Sequence, residues 1–595
     1  MIKASSLTGA TLLCALLIAP FAAKPQSTPH NKDWVSVSDK YTEMLIELDK
    51  KYSPEYGSSQ GLAQYDTLVS KPTLANELAQ RREENALVDI YKAALRTEPN
   101  PHVKQDLEIL INSLQFGFRQ QDFSRKRKVP FYNIASIVYD GLEILLDDQT
   151  PAERRVAAIT RLKKYTGINK AHTPLTTILK QRITEQIGAG PNMIYPSKDY
   201  MEKELGRNES IIAGIEKLFQ KHKLTGWENA YAALKKQVAE FNEWTRTNVV
   251  AKGRTDFRLQ PEDYALSLEG YGVDIPPAEL VALAHAAFAD IQNQMKDIAA
   301  QIAKKRQLPS ADYRDVIRDL KKAQITGDSI MPLYARTLKS IEDIIAREQL
   351  LTLPSRPAII RLATAAETAR SPAPHMVPPP FLNNTGQRGV FVLPLNMPPA
   401  PGEKEDRYDD FTFEAASWTL TAHEARPGHE LQFDKMVEEG VSKARSLYAF
   451  NSTNVEGWGL YAEYIIKPHM PLEGQLVSLD YRLLRAARAF LDPELQAGKI
   501  TPQQAMDILM KYVVQSHAMA AQEVERYTNR SPGQANSYFY GYTKMISLRA
   551  DAEKALGKKF NALRFHDFIL AQGLLPPALI RNAVMQEFIP SELKK

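Results

Sequence analysis

Cysteine is nearly missing from this chain: Cys14 is the only one in 595 residues. A single thiol excludes an intrachain disulfide and a thiolate-rich metal site, and a chain shorn of Cys14 has no cysteine nucleophile either. An excess of charge of one sign is also lacking. The 75 Lys and Arg against 70 Asp and Glu leave a formal net charge of +5. Because the two signs are interspersed, no basic run marks a nucleic-acid footprint. Fixed-period repeats and a glycine-rich phosphate loop are absent too.

The N-terminus has what the rest lacks, a short apolar run. Met1-Ile-Lys-Ala-Ser-Ser precedes Thr11-Leu-Leu-Cys-Ala-Leu-Leu-Ile-Ala-Pro20 and then Phe21-Ala-Ala-Lys24. A basic start, a brief h-region and small residues before a polar stretch describe a secretory signal peptide, residues 1–23, rather than a membrane span of about 20 apolar residues. Cleavage is expected near Ala23, although Phe21 stands where a small residue is preferred. Leu13 stands before Cys14 where lipid attachment wants Gly or Ala. The mature protein is therefore expected to be secreted or periplasmic, with no stable membrane insertion.

With 44% hydrophobic and 24% charged residues, the chain has the composition of a globular protein with a sizeable core. Helical spacing dominates from Trp34 to Val250, as in Tyr41–Tyr52 and Gly214–Gln220, and Pro276 opens a strong helix reaching Lys305. The expected class is mainly α, with an N-terminal helical region at 24–250 and a metal-binding catalytic region at 251–595 packed as one unit. Texture changes at 371–400. Ser371-Pro-Ala-Pro and Pro378-Pro-Pro read as an extended connector, and Gly389-Val-Phe-Val-Leu-Pro-Leu-Asn396 reads as a strand whose proline suits a sheet edge. An exposed edge can pair with a peptide backbone, which makes Asn396 a candidate substrate contact.

The chemistry gathers in Thr421-Ala-His-Glu-Ala-Arg-Pro-Gly-His-Glu-Leu-Gln432. Two imidazoles and a carboxylate can hold Zn²⁺ with one position open, and a further carboxylate can take a proton from bound water. His423, His429 and Glu456 are the candidate ligands and Glu424 the candidate base. Histidines four apart turn by roughly 400° on a helix and face one ion, whereas six apart, roughly 600°, they diverge by about 120°. Pro427 and Gly428 lie between them, one unable to donate a hydrogen bond and the other free to take φ > 0. A helix break there would return His429 to the metal. Glu456 lies in Val455-Glu-Gly-Trp-Gly-Leu-Tyr-Ala-Glu463, which reads as a buried helix where an unpaired carboxylate is costly. Glu463, two turns further on, could orient a histidine or exchange roles with Glu456.

His-Glu-x-x-Pro-Gly-His, Val455-Glu-Gly-Trp-Gly-Leu-Tyr-Ala-Glu463 and Glu525-Arg-Tyr…Pro532-Gly-Gln…Tyr538-x-x-Gly541 together resemble the DUF885 family of bacterial proteins. These are thought to be helical relatives of the zinc peptidases. The resemblance implies a large two-lobed fold with a deep cleft, a small β-sheet near the metal, and an oligopeptide substrate. Glu430 departs from it, because the family usually has a second histidine after Pro-Gly-His. Tyr538 best matches the resemblance as a phenol for a developing oxyanion, with Tyr540 and Tyr542 as alternatives. Arg526 and Arg549 are candidates to pair with a substrate carboxylate. His517 and His566 are alternative imidazole ligands that no spacing singles out. The expected activity is a zinc metallopeptidase; an amidohydrolase or esterase, or a metal-containing binding protein without turnover, remain as rivals. Nothing in the sequence sets the oligomeric state.

Overall fold

The computed structural model describes residues 33–394 and 406–595. The leader and Asn396 lie outside those residues. Helices dominate, as the periodicity implies, and the strong helix expected from Pro276 spans Pro277–Arg306 (α1). The elements that build the site follow in the second half. They are Glu414–Leu420 (α2), His429–Glu439 (α3), Ser452–Ile466 (α4), Leu472–Gln496 (α5), His517–Glu525 (α6) and Asn536–Leu556 (α7).

Local chemistry sets their ends. The Asn451 side chain accepts from the Asn454 backbone N–H to start α4, and Ser516 does the same for Met519 at the head of α6. Both α4 and α5 are buried on nearly every face, so they act as central posts around which the other helices pack. The α4–α7 contact is made by backbone. A Cβ on Gly457 would come within 2.6 Å of the Gly541 carbonyl carbon, and one on Gly541 within 2.0 Å of the Thr453 carbonyl oxygen.

The N-terminal helices are tied to this body by buried and half-buried polar contacts. Arg445 Nε donates to Asp106 at 2.8 Å, and the Tyr448 hydroxyl donates to Asp49 at 2.6 Å.

The sheet has three strands, β1 (Ile359–Leu362), β2 (His375–Val377) and β3 (Val390–Leu393), in the order β1-β3-β2. β1 runs parallel to β3, and β2 runs antiparallel to it, with His375 opposite Val392. This corrects the expected edge strand. β3 is the central strand and fully buried, because its alternating positions are all apolar and Pro394 falls just beyond its last ladder residue. The edge nearer the site is β2, which lies within the segment read from the sequence as an extended connector. The Gly389 N–H donates to Asp434 Oδ1 at 3.1 Å, fastening the sheet to α3.

Candidate metal centre

α2 does not continue as a regular helix into the histidine motif. Thr421–Ala425 forms a π-helical turn carrying His423 and Glu424, Arg426 is extended, and α3 begins at His429. The break at Pro427 and Gly428 answers the six-residue spacing: the two imidazole centroids lie 4.6 Å apart. Two details differ from expectation. His423 sits on the widened turn rather than on a regular helix, and Gly428 has φ −76° rather than a positive value. Glycine is required there by close approach, since a Cβ would fall 1.8 Å from the His423 carbonyl oxygen. Trp458 of α4 donates its indole N–H to the Pro427 carbonyl at 2.9 Å, holding the broken segment against the post.

Glu456 completes the cluster. Its Oε2 lies 3.4 Å from His423 Nε2 and 3.5 Å from His429 Nε2. These separations are long for hydrogen bonds, but two donors each about 2.05 Å from a tetrahedral ion are about 3.3–3.4 Å apart. Among the described residues this is the one group of three or more His, Cys, Asp or Glu side chains whose ligand atoms all converge within 4.8 Å. Space for both rings is made by Gly459, where a Cβ would come within 2.6 Å of His423 Cε1 and 2.9 Å of His429 Cε1.

Glu463 lies behind the cluster. Its Oε1 is 2.8 Å from His423 Nδ1, Oε2 accepts from the Thr419 hydroxyl at 2.7 Å, and an Arg485 nitrogen is 3.4 Å away. A carboxylate on Nδ1 fixes the tautomer that leaves Nε2 free to ligate. The three carboxylates around His423 also draw positive charge to this position. Burial alone would depress the His423 pKa, but the bonds to Glu456 and Glu463 and the charge of Glu424 hold it up at about 9. Burial works against the ionised Glu463 and is outweighed by Arg485, His423 and Thr419, so its pKa lies below the ordinary carboxylate range. Glu456 is likewise held well below, burial being overcome by the two histidines.

Glu430, the departure from the family pattern, points elsewhere. Its carboxylate takes two bonds from Arg426, at 2.7 and 3.0 Å, and a second arm of that guanidinium reaches Glu342 at 2.8 Å. Burial raises its pKa to about 7 despite the arginine.

A cavity of about 560 Å³ opens on the cluster. Glu424, Glu456 and both histidines line it, as do His375 and Met376 of β2 and Tyr56 and Gln60 from the N-terminal helices. Of the three candidate tyrosines, only Tyr538 lines this space. Its ring stacks 6.4 Å from that of His423 at an interplanar angle of 12°. The Tyr540 hydroxyl is bound to Asp274, and Tyr542 packs on Tyr464 and Arg482.

Arg526 lines the cavity, but Arg549 does not join it. Arg549 binds Glu553 at 2.7 Å and the Tyr461 hydroxyl at 3.1 Å. It shares the Tyr538 stripe of α7, eleven residues on and therefore about 16 Å further along the axis. His517 is exposed and pairs with Asp406, and His566 is bound between Tyr461 and the Leu350 carbonyl, so neither reaches the cluster.

The sequence reading missed the arginines of α5. Arg485 and Arg488 line the cavity, and Arg488 makes a two-pronged pair with Glu523 of α6 at 2.8 and 2.6 Å while its guanidinium lies 4.5 Å over the Tyr538 ring. Leu483-Leu-Arg-Ala-Ala-Arg-Ala-Phe-Leu491 held the clue. Arginines three apart in an otherwise apolar helix must be buried and need partners.

Two solved structures share the fold. A candidate lipoprotein from Colwellia psychrerythraea matches with a TM-score of 0.74 at 18% identity, over 94% of this chain and 98% of that one. A candidate lipoprotein of unknown function from Shewanella oneidensis matches with a TM-score of 0.66 at 18% identity, over 92% and 99%. No curated protein matches the sequence significantly. The family described as bacterial protein of unknown function (DUF885) matches over residues 54–584, and the chain therefore belongs to the DUF885 family.

Proposed function

We propose that this protein is an exported, zinc-dependent hydrolase that cleaves oligopeptides. The observation that carries the reading is the His423–His429–Glu456 triad, whose donor atoms stand at 3.4 and 3.5 Å, the separation a tetrahedral ion asks of its ligands. A donor set of two imidazoles and one carboxylate suits Zn²⁺ better than Mg²⁺ or Ca²⁺, and such an ion supplies Lewis acidity and acidifies bound water. Glu463 keeps His423 in the ligating tautomer. Glu424, next to His423 and facing the cavity, takes the proton from water, and the Tyr538 phenol donates to the carbonyl oxygen as charge develops on it. We read the cavity as the floor of a cleft between an N-terminal and a C-terminal lobe, with the edge of β2 alongside for an extended backbone. Export is supported by the signal-peptide pattern and by the description of both structural relatives as candidate lipoproteins.

Elemental analysis of the purified protein tests the metal, with about one zinc per chain expected. Glu424→Gln should keep that zinc and lose peptide turnover, whereas His423→Ala should lose both. Full activity in chelator-stripped, metal-free protein would sink the reading.

A further inference from the structure

The cavity wall around Tyr538 holds more positive charge than its acids balance. Arg488, Arg526 and Arg530 all line it. Arg488 is matched by Glu523, but Arg526 reaches that same carboxylate only at 3.7 Å, and Arg530 makes no ion pair with any described residue. The nearby Glu525 is already taken by Arg207 at 3.1 Å. One nitrogen each of Arg488 and Arg526 is buried without a hydrogen-bond acceptor among the described residues. Burial, and then the charges of Arg207 and Arg526, lower the pKa of Arg530 and outweigh the opposing pull of Glu525 and Glu204. Two guanidiniums sharing the Glu523 carboxylate, with a third beside them that has no ion pair of its own, are costly in a half-enclosed space unless an anion completes the set.

Position limits which anion fits. The Tyr538 ring lies 6.4 Å from the His423 ring and carries the Arg488 and Arg526 guanidiniums at 4.5 and 5.8 Å. The guanidiniums of Arg488 and Arg526 therefore lie within about 11 and 12 Å of the His423 ring, a span of no more than about three residues of extended chain at roughly 3.3–3.6 Å each.

We propose that Arg526 and Arg530, backed by the Arg488–Glu523 pair, bind the free C-terminal carboxylate of a peptide, so that the enzyme shortens peptides from that end. The inference rests on the peptide-hydrolase reading and names its substrate class. Water adds its oxygen to the carbonyl carbon, the C–N bond breaks, and the leaving nitrogen keeps a proton from that water, giving a new C-terminus and a released amino acid or dipeptide.

The test uses a randomised pool of N-acetylated tripeptides, offered to the zinc-loaded full-length protein as free acids and as C-terminal amides, with products read by mass spectrometry. Free acids should be cleaved at least tenfold faster, and Arg526→Met and Arg530→Met should each shrink that ratio, with Arg526→Lys restoring part of it. Acids and amides cleaved at equal rates would overturn the carboxylate subsite and leave the hydrolase standing. Should neither pool be cleaved, the hydrolase reading fails, and equilibrium dialysis of the same pools decides the subsite: preferential retention of acids keeps it, equal retention removes it. The wild-type acid-to-amide comparison stands even if an arginine variant does not fold.

Discussion

Gly459→Ala isolates the geometry of the metal centre without touching a ligand. The added methyl carbon would lie 2.6 Å from His423 Cε1 and 2.9 Å from both His423 Nδ1 and His429 Cε1. Carbon atoms in contact settle at about 3.5–4.0 Å, so one or both rings must retreat by about 1 Å. A zinc–nitrogen bond tolerates about 0.2 Å. In the metal-free protein the rings can swing aside, so the cost falls mainly on metal binding. Overpacking of about 1–3 kcal/mol corresponds to a zinc Kd raised about 5- to 150-fold. Competition with a chromophoric chelator measures it. Gly117→Ala is the control, because Gly117 lies inside the Pro101–Arg127 helix with nothing within 4 Å of the added carbon. That variant should gain about 0.5–1 kcal/mol of stability and leave zinc affinity alone. A Gly459→Ala Kd within twofold of wild type would refute the packing argument and with it the convergence of the two imidazoles.

Trp458→Phe removes the bond to the Pro427 carbonyl and leaves that oxygen buried, so chemical unfolding should show a loss of about 1–3 kcal/mol. Zinc affinity should fall too, and an unchanged Kd would mean that other contacts set the break. Asp492 is a buried carboxyl whose pKa is raised to about 7, burial outweighing its bonds from Gly533 and Tyr264. Its folded pKa exceeds the unfolded value of about 3.9, so its contribution is fully present below pH 4 and is lost as pH rises through 7. Asp492→Asn should therefore gain stability relative to wild type between pH 4 and 7, by roughly one to a few kcal/mol, with flat differences on either side. Urea titrations across pH test this, and a difference that does not vary with pH would contradict it.

Much of the centre was legible because its residues are rare types at telling distances. His423, Glu424, His429 and Glu456 stood out by chemistry, and Pro427-Gly428 by its incompatibility with a continuous helix. The reason for Gly428 was not legible, since positive φ and close backbone approach leave the same letter in a sequence. Gly459 and the Gly457–Gly541 contact were hidden likewise, because what a missing side chain makes room for lies on another element. Arg549 and Arg526 looked equivalent as cations of the C-terminal segment; Arg526 reaches the cavity from the turn that follows α6, whereas Arg549 lies on α7, about three turns beyond Tyr538. The β3 strand was found, but its rank in the sheet depended on β2, three residues between prolines with no periodicity to betray them. Helical content followed from apolar spacing; which helices lie at the centre did not, except at α4, whose Val455–Glu463 segment reads as buried, while the charges of α5 conceal its central place.

The glycine-to-glycine contact between α4 and α7 bears on how such a protein can diversify. Glu456 and Tyr538 ride on those two helices, and at Gly457 and Gly541 main chain meets main chain with no rotamer between. The spacing of carboxylate and phenol is therefore a property of the scaffold, indifferent to what lines the cavity around them. Residues of the wall can be exchanged to suit new ligands while that spacing stays constant, and a single methyl group at either glycine is enough to forfeit it.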